Sequence, residues 1–171
     1  MRLALLRESM ADATIRNYRA SDAEDLNRIA VAAFSQFRDC YEDWPAMHKI
    51  VSKASALSET GEVIVAECHG RLAGAVAYVG PNIAKAAFFE QAWPVIRMLV
   101  VDPGCRGKGI GHALTDECIA RAQRDRAPVI ALHTSPIMTV ALPMYLRMGF
   151  AKVHDAPPLF GVPYAVYTKA L

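Results

Sequence analysis

A glycine-rich basic loop between a predicted strand and a predicted helix is the segment best suited to bind a ligand. The apolar run 95–102 reads VIRMLVVD, and the loop 103–111 reads PGCRGKGIG. An amphipathic helix is predicted to begin near Gly109. The first amides of a helix have no intrahelical partner, and the helix dipole favours an anion there. Because glycine also lets the backbone approach a ligand closely, this loop is predicted to bind phosphate oxygens.

The spacing of the loop excludes two common phosphate-binding motifs. A Walker loop requires Ser or Thr after its lysine, but Lys108 is followed by Gly109. A dinucleotide fingerprint requires G-x-G-x-x-G, whereas Gly107, Gly109 and Gly111 form G-x-G-x-G. These differences argue against a Walker-type nucleotidase and a dehydrogenase. A nucleotide-binding protein that uses the loop in another way remains an alternative.

The bulk composition limits the organisation and the partners of the chain. Its 171 residues suit one domain, which we expect at 14–171, after a tail or short extra segment at 1–13. The formal net charge of +2 gives no reason to expect a nucleic-acid partner. The four cysteines form no C-x-x-C pair, so no metal site is expected. Since no apolar run reaches about 18 residues, we expect a cytoplasmic protein without a membrane partner, either a monomer or a homodimer.

The alternation of apolar and polar residues predicts the element order β, α, α, β, β, β, α, β, α, β, β. This order indicates a single α/β or α+β domain with a mixed sheet. The second helix is predicted over about 45–57 and the last over about 138–147. Pro157 and Pro158 are expected in the connection between the final two strands, because proline cannot donate to a strand ladder.

Two motifs resemble the GNAT superfamily, the acyl-CoA-dependent N-acetyltransferases. The family motif is Q/R-x-x-G-x-G/A after a strand that ends L-x-V-x-P, and residues 99–111 read LVVDPGCRGKGIG. Residues 141–150, ALPMYLRMGF, are similar to the closing signature of the family, a helix followed by Y-x-x-x-G-F. The element order also fits the family from about Ile15 to the C-terminus.

The resemblance implies a mixed, mostly antiparallel sheet of six to seven strands with about four helices. It further implies that the strands ending at Val101 and Thr134 splay apart to hold the cosubstrate, acetyl-CoA or another acyl-CoA. Loop backbone would cradle the pyrophosphate, and strand backbone would bind the pantetheine arm. The family often has an asparagine that contacts the cofactor at the position where this chain has Met138. The implied cofactor-binding residues are Leu99, Val100, Val101, Arg106, Gly107, Lys108, Gly109, Ile110, Gly111 and His112.

The resemblance also implies two catalytic candidates. Tyr145 lies four residues before Gly149, where the family has a tyrosine that protonates the departing thiolate. Its alternative role is packing in the core. His133 lies near the end of the strand where several members have a catalytic glutamate, so it is the candidate base. The alternative is that His133 only fills a hydrogen-bonding niche in the fold. Cys105 lies on the phosphate side of the expected site, which favours direct attack by the amine over an acyl-enzyme.

The acceptor is expected to be a primary amine of a small molecule or a peptide. Tyr41 and Trp44 flank two acidic residues, and Phe89 and Trp93 flank a third. Aromatic faces and carboxylates both favour an ammonium group, so these four aromatic residues are candidates for substrate binding. Packing in the core or a dimer contact is the alternative. A non-catalytic acyl-CoA sensor or interaction module is the alternative function, since it would need the loop but not Tyr145.

Overall fold

The computed structural model describes residues 13–171, which contain seven strands and four α-helices. The strands are Ala13–Asn17 (β1), Glu62–Cys68 (β2), Arg71–Val79 (β3), Val95–Val101 (β4), Val129–Thr134 (β5), Ala151–Leu159 (β6) and Val162–Ala170 (β7). The helices are Ala23–Ser35 (α1), Trp44–Val51 (α2), Ile110–Arg124 (α3) and Ala141–Arg147 (α4). The predicted order of elements is confirmed. The predicted tail lies outside the described residues, except for Ala13, which begins β1.

One sheet contains the seven strands, in the order β1-β2-β3-β4-β5-β7-β6. Its neighbours are antiparallel except β4 and β5, which are parallel. The ladder between β4 and β5 contains one residue pair, Val95 with Ala131. The two strands therefore meet at their N-terminal ends and separate beyond that pair, so the predicted fold class and the splayed strand pair are both confirmed.

Helices cover both faces of the sheet. α1 and α2 pack on the face that includes Val95 and Ala131, whereas α3 and α4 pack on the opposite face. Gly74 in β3 permits close packing of α3, because a Cβ there would lie 3.1 Å from Ile110 Cγ2 and 2.8 Å from the Val100 carbonyl oxygen. A side chain at this glycine would push away the first turn of α3, which carries the end of the glycine loop.

Three local expectations differ from the structure. The second helix ends at Val51, and a 3-10 helix, Ala54–Glu59, follows it. The last helix begins at Ala141. Pro157 and Pro158 lie within β6 and not in a connection. β6 is an edge strand that pairs with β7 alone, and its register with β7 shifts between Ala156 and Leu159. Neither proline has a partner in β7, so their missing amides leave no ladder bond unmade.

Candidate active site

The glycine loop approaches α3 with its backbone in the left-handed region. Gly107 has φ +75° and Gly109, the N-cap of α3, has φ +76°. This conformation is strained for any residue with a Cβ. A Cβ built at either glycine meets no atom within 4 Å, so the space above the loop is open.

The backbone amides at the helix end of the glycine loop have no hydrogen-bond partners in the described part of the chain. Within the described chain, no amide from Gly107 to His112 donates a hydrogen bond, and the first bond of the helix runs from Ala113 N to the Gly109 oxygen at 3.0 Å. The Asp102 carboxylate accepts the Gly104 amide at 2.8 Å and fixes the entry to the loop. Unbonded N–H groups at a helix N-terminus are suited to an anion, which is the role that the sequence predicts for this loop.

The basic side chains of the loop, those of Arg106, Lys108 and His112, differ in their surroundings and partners. The Arg106 guanidinium turns toward the end of α1, where it donates to Gln36 Oε1 at 3.2 Å. Lys108 is exposed. His112 Nε2 lies 3.2 Å from the Asp116 carboxylate. The loop therefore offers an anion its backbone amides first, with Lys108 as the loop cation whose side chain makes neither a hydrogen bond nor an ion pair within residues 13–171.

A bulge in β4 produces the gap beside β5. Met98 has φ +52°, and the register between β3 and β4 shifts at this point. A non-glycine residue in this conformation costs on the order of 1–3 kcal/mol, and such strain is concentrated at functional sites. Beyond the bulge, the side chains of Leu99 and Val101 pack toward Gly111 of α3. The edge of β4 that faces β5 is therefore left open for a ligand.

A cavity of about 400 Å³ lies at this gap. Its size is in the range of small-molecule sites, roughly 300–1,000 Å³. It brings together four of the predicted residues, which are Tyr145, His133, Phe89 and Leu99. Much of the remaining wall is apolar, including Phe34, Met47, Ile50, Phe88, Leu159 and Tyr164.

Tyr145 projects from α4 into the cavity from the α3 side of the sheet. The ring is buried and packs 5.6 Å from the Phe150 ring, centroid to centroid. Its hydroxyl has no hydrogen-bond partner among the described residues. Burial raises the pKa of this phenol well above its usual range, so it is protonated at neutral pH. The geometry allows it to donate a proton to a ligand atom in the gap.

His133 faces the cavity from the opposite side of the sheet. Its ring lies 5.2 Å from Phe88, 5.9 Å from Phe89 and 5.0 Å from Tyr164, between ring centroids. Burial, and secondarily the charge of Arg97, lower the pKa of His133 to about 4. The imidazole is therefore neutral at pH 7 and can accept a proton, although its low pKa makes it a weak base.

The other aromatic candidates lie outside the cavity. Tyr41 is buried behind Tyr164, and their hydroxyl oxygens are 2.7 Å apart. Trp44 packs 6.3 Å from the Tyr41 ring, and Trp93 packs against the core of the α1 face. The acidic residues near them do not line the cavity either, and Asp43 instead accepts the Ala46 amide at the start of α2. The structure thus does not assemble the acidic and aromatic cluster expected for an ammonium group.

Two cationic side chains, those of Lys85 and Arg97, line the cavity but were not among the site residues predicted from the sequence. Lys85 donates through Nζ to the backbone oxygens of Ile83 at 2.6 Å and Gln91 at 2.8 Å. Arg97 has no hydrogen-bond or ion-pair partner in the described chain. A single arginine inside the apolar run of β4 was the signal available in the sequence. No residue within 13–171 that lines the cavity carries a carboxylate.

Comparison with known proteins identifies the class that this fold and site define. The family model "Acetyltransferase (GNAT) family" matches residues 23–150. The chain belongs to this family. An uncharacterized N-acetyltransferase of Methanocaldococcus jannaschii is 28% identical over 80% of this chain, and the chain spans 60% of the length of that curated relative.

Solved structures support the same fold. A GCN5-related N-acetyltransferase from Rhodopseudomonas palustris has a TM-score of 0.75 at 21% identity, with 95% of this chain and 98% of that chain covered. A GNAT family acetyltransferase from Elizabethkingia anophelis, crystallised with acetyl-CoA bound, has a TM-score of 0.66 at 18% identity, with 94% and 99% covered. Within residues 13–171, no helix is long and apolar enough to cross a membrane.

Proposed function

We propose that this chain transfers an acetyl group from acetyl-CoA to a primary amine by direct attack in a ternary complex. The observation that carries the proposal is the gap between β4 and β5, which opens into the cavity and lies beside a loop of free amides. A long ligand with a phosphate-bearing end and a reactive end fits this combination. Membership of the acetyltransferase family supports the same donor.

The residues present fit such a donor. The amides from Gly107 to His112 would bind the pyrophosphate, and the open space above Gly107 and Gly109 leaves room for it. The backbone at Leu99 and Val101 would bind the pantetheine arm as an added strand, because that edge of β4 lacks a strand partner. Acetyl-CoA supplies an activated thioester, whose reacting end would lie in the cavity.

The catalytic roles follow from the protonation states. As the bond between the amine nitrogen and the acetyl carbon forms, the carbon–sulfur bond breaks. Tyr145, protonated at neutral pH, would donate its proton to the leaving sulfur. His133, neutral at pH 7, would accept the proton that the amine loses, directly or through water. Cys105 does not line the cavity, which supports direct transfer over an acyl-enzyme.

Replacement of the Tyr145 hydroxyl tests this assignment against a non-catalytic binding module. Tyr145→Phe should lower kcat by about 100-fold or more, the typical contribution of a general acid, without changing the Kd for acetyl-CoA. Tyr167→Phe is the matched control, because Tyr167 is a buried tyrosine outside the cavity. Release of CoA with a panel of amines measures kcat. Unchanged turnover would remove Tyr145 from the mechanism, and no turnover with any amine would favour the binding module.

A further inference from the structure

The charges of the cavity are unusual for a site that accepts an amine. Two cations, Arg97 and Lys85, line it, and no lining residue within 13–171 carries a carboxylate. The Lys85 ammonium is already bound to backbone oxygens. Arg97 is therefore the cation left for a ligand, and a purely cationic acceptor would meet repulsion there.

Arg97 lies on the acceptor side of the gap and not on the phosphate side. Val95 and Ala131 are paired and belong to the core of the α1 face. Side chains alternate between the two faces of a strand. Arg97 is two residues after Val95, and His133 is two residues after Ala131. Arg97 and His133 therefore both lie on the α1 face of the sheet, on opposite sides of the widening gap. Along β4, Arg97 precedes Val101 by four residues, which span at most roughly 13 Å, and the bulge at Met98 separates it from the loop that would bind the pyrophosphate.

Arg97 is accessible to a ligand from solvent and also close to the reacting centre. It lines the cavity and is exposed, yet surrounding protein lowers the pKa of its guanidinium. The same side chain acts electrostatically on His133. An arginine without a carboxylate partner in a mostly apolar cavity is suited to bidentate recognition of a carboxylate.

We infer that the acceptor is an amino acid-like molecule, whose carboxylate binds Arg97, whose amine lies near His133 and whose apolar or aromatic side chain fills the cavity. Phe34, Phe88, Phe89 and Tyr164 supply the aromatic wall. Because Arg97 and His133 line the same cavity and the charge of Arg97 acts on the imidazole, the amine and the carboxylate should be only a few bonds apart. This inference rests on the proposed function, since it names the substrate class of the same site.

Binding without chemistry tests the carboxylate site by itself. Calorimetric titration of the CoA-saturated protein compares phenylpropionate with phenylpropionamide, which have the same shape and differ in charge. We expect the carboxylate to bind about 10- to 150-fold more tightly, the usual range for hydrogen bonds to a charged group. Arg97→Gln should abolish this preference, and Arg97→Lys should retain part of it. Equal binding of the two probes, no binding of either, or an unchanged preference in Arg97→Gln overturns the inference.

The matched control is Arg71→Gln, which removes an exposed arginine at the start of β3, outside the cavity, and should leave the preference unchanged. Turnover provides the second readout. Phenylalanine should have a higher kcat/KM than phenylalaninamide, although the amine of the amide is less basic, and Arg97→Gln should raise KM more than it lowers kcat. Equal or faster turnover of the amide overturns the inference and leaves the proposed function standing. Carboxylate-selective binding without turnover of any amine contradicts the proposed function and upholds the carboxylate site.

Discussion

Substitution of Gly109 by alanine separates the structural role of the glycine loop from its ligand role. Gly109 has φ +76°, and a Cβ there meets no protein atom within 4 Å. The left-handed conformation costs an alanine about 1–2 kcal/mol. Gly70, in the turn between β2 and β3, has φ +73° and the same open surroundings. Gly109→Ala and Gly70→Ala should therefore lower the free energy of unfolding by similar amounts, which urea denaturation measures.

Only the substitution in the loop should weaken binding of acetyl-CoA. The new methyl group of Gly109→Ala would stand in the space onto which the amides from Gly107 to His112 open. A pyrophosphate pushed from this position loses at least one hydrogen bond to a charged group, worth about 1.5–3 kcal/mol. The Kd for acetyl-CoA should rise about 10- to 150-fold, whereas Gly70→Ala should leave it unchanged.

Calorimetric titration with acetyl-CoA, at one fixed salt concentration, is the appropriate assay, because screening alters any interaction with phosphates. Binding of acetyl-CoA by Gly109→Ala as tight as that of the unaltered protein would refute a ligand role for the loop. Equal weakening in Gly70→Ala would also refute it, since the effect would then report general destabilisation and not the loop.

Three further substitutions test the fold and its pH dependence. The pKa of His133 in the folded protein, about 4, lies below its usual value. The unfolded chain therefore binds a proton first, and the free energy of unfolding should fall as the pH falls from about 6.5 toward 4. In His133→Gln this fall should be smaller, which urea titrations at several pH values measure. Hydrogen bonds from Arg16 lower the pKa of Asp22. Asp22→Asn should therefore destabilise the fold by about 2 kcal/mol at pH 7. The difference from the unaltered protein should disappear as the pH falls through the pKa of the Asp22 carboxyl in the folded state, which thermal unfolding at several pH values measures. Gly74→Ala should lower the free energy of unfolding by about 1–3 kcal/mol, as measured by chemical denaturation, because its Cβ would lie 2.8 Å from the Val100 oxygen. Stability equal to that of the unaltered protein would show that α3 can shift freely.

The sequence predicted those features that depend on local pattern. Strand and helix periodicity indicated the element order, and the loop could be predicted because glycines, a strand and a helix start are contiguous there. The proline pair in β6 was misplaced, because only the sheet order shows that this strand is an edge. A local rule about proline cannot supply that information.

The cavity was harder to predict, because its wall comes from residues far apart in the chain. Phe34, Arg97 and Tyr164 meet only after the sheet has formed. Tyr41 and Trp44 have the composition of a cation site, but Tyr41 is buried behind Tyr164 and Trp44 packs on Tyr41, so both serve in packing instead. The charge of an acceptor site therefore follows from which side chains the fold brings together, and not from acidic residues that are close in sequence.

Transfer of a labelled acetyl group tests the central claim most directly. The protein is incubated with acetyl-CoA labelled in the acetyl carbons and a panel of amines that includes phenylalanine. Mass spectrometry then follows the label, and a thiol reagent follows release of CoA. We predict that the label becomes attached to the amine nitrogen in equal amount to the CoA released, and that this transfer is largely lost in Tyr145→Phe. Release of CoA with the label recovered as acetate, or no transfer to any amine, would contradict the account.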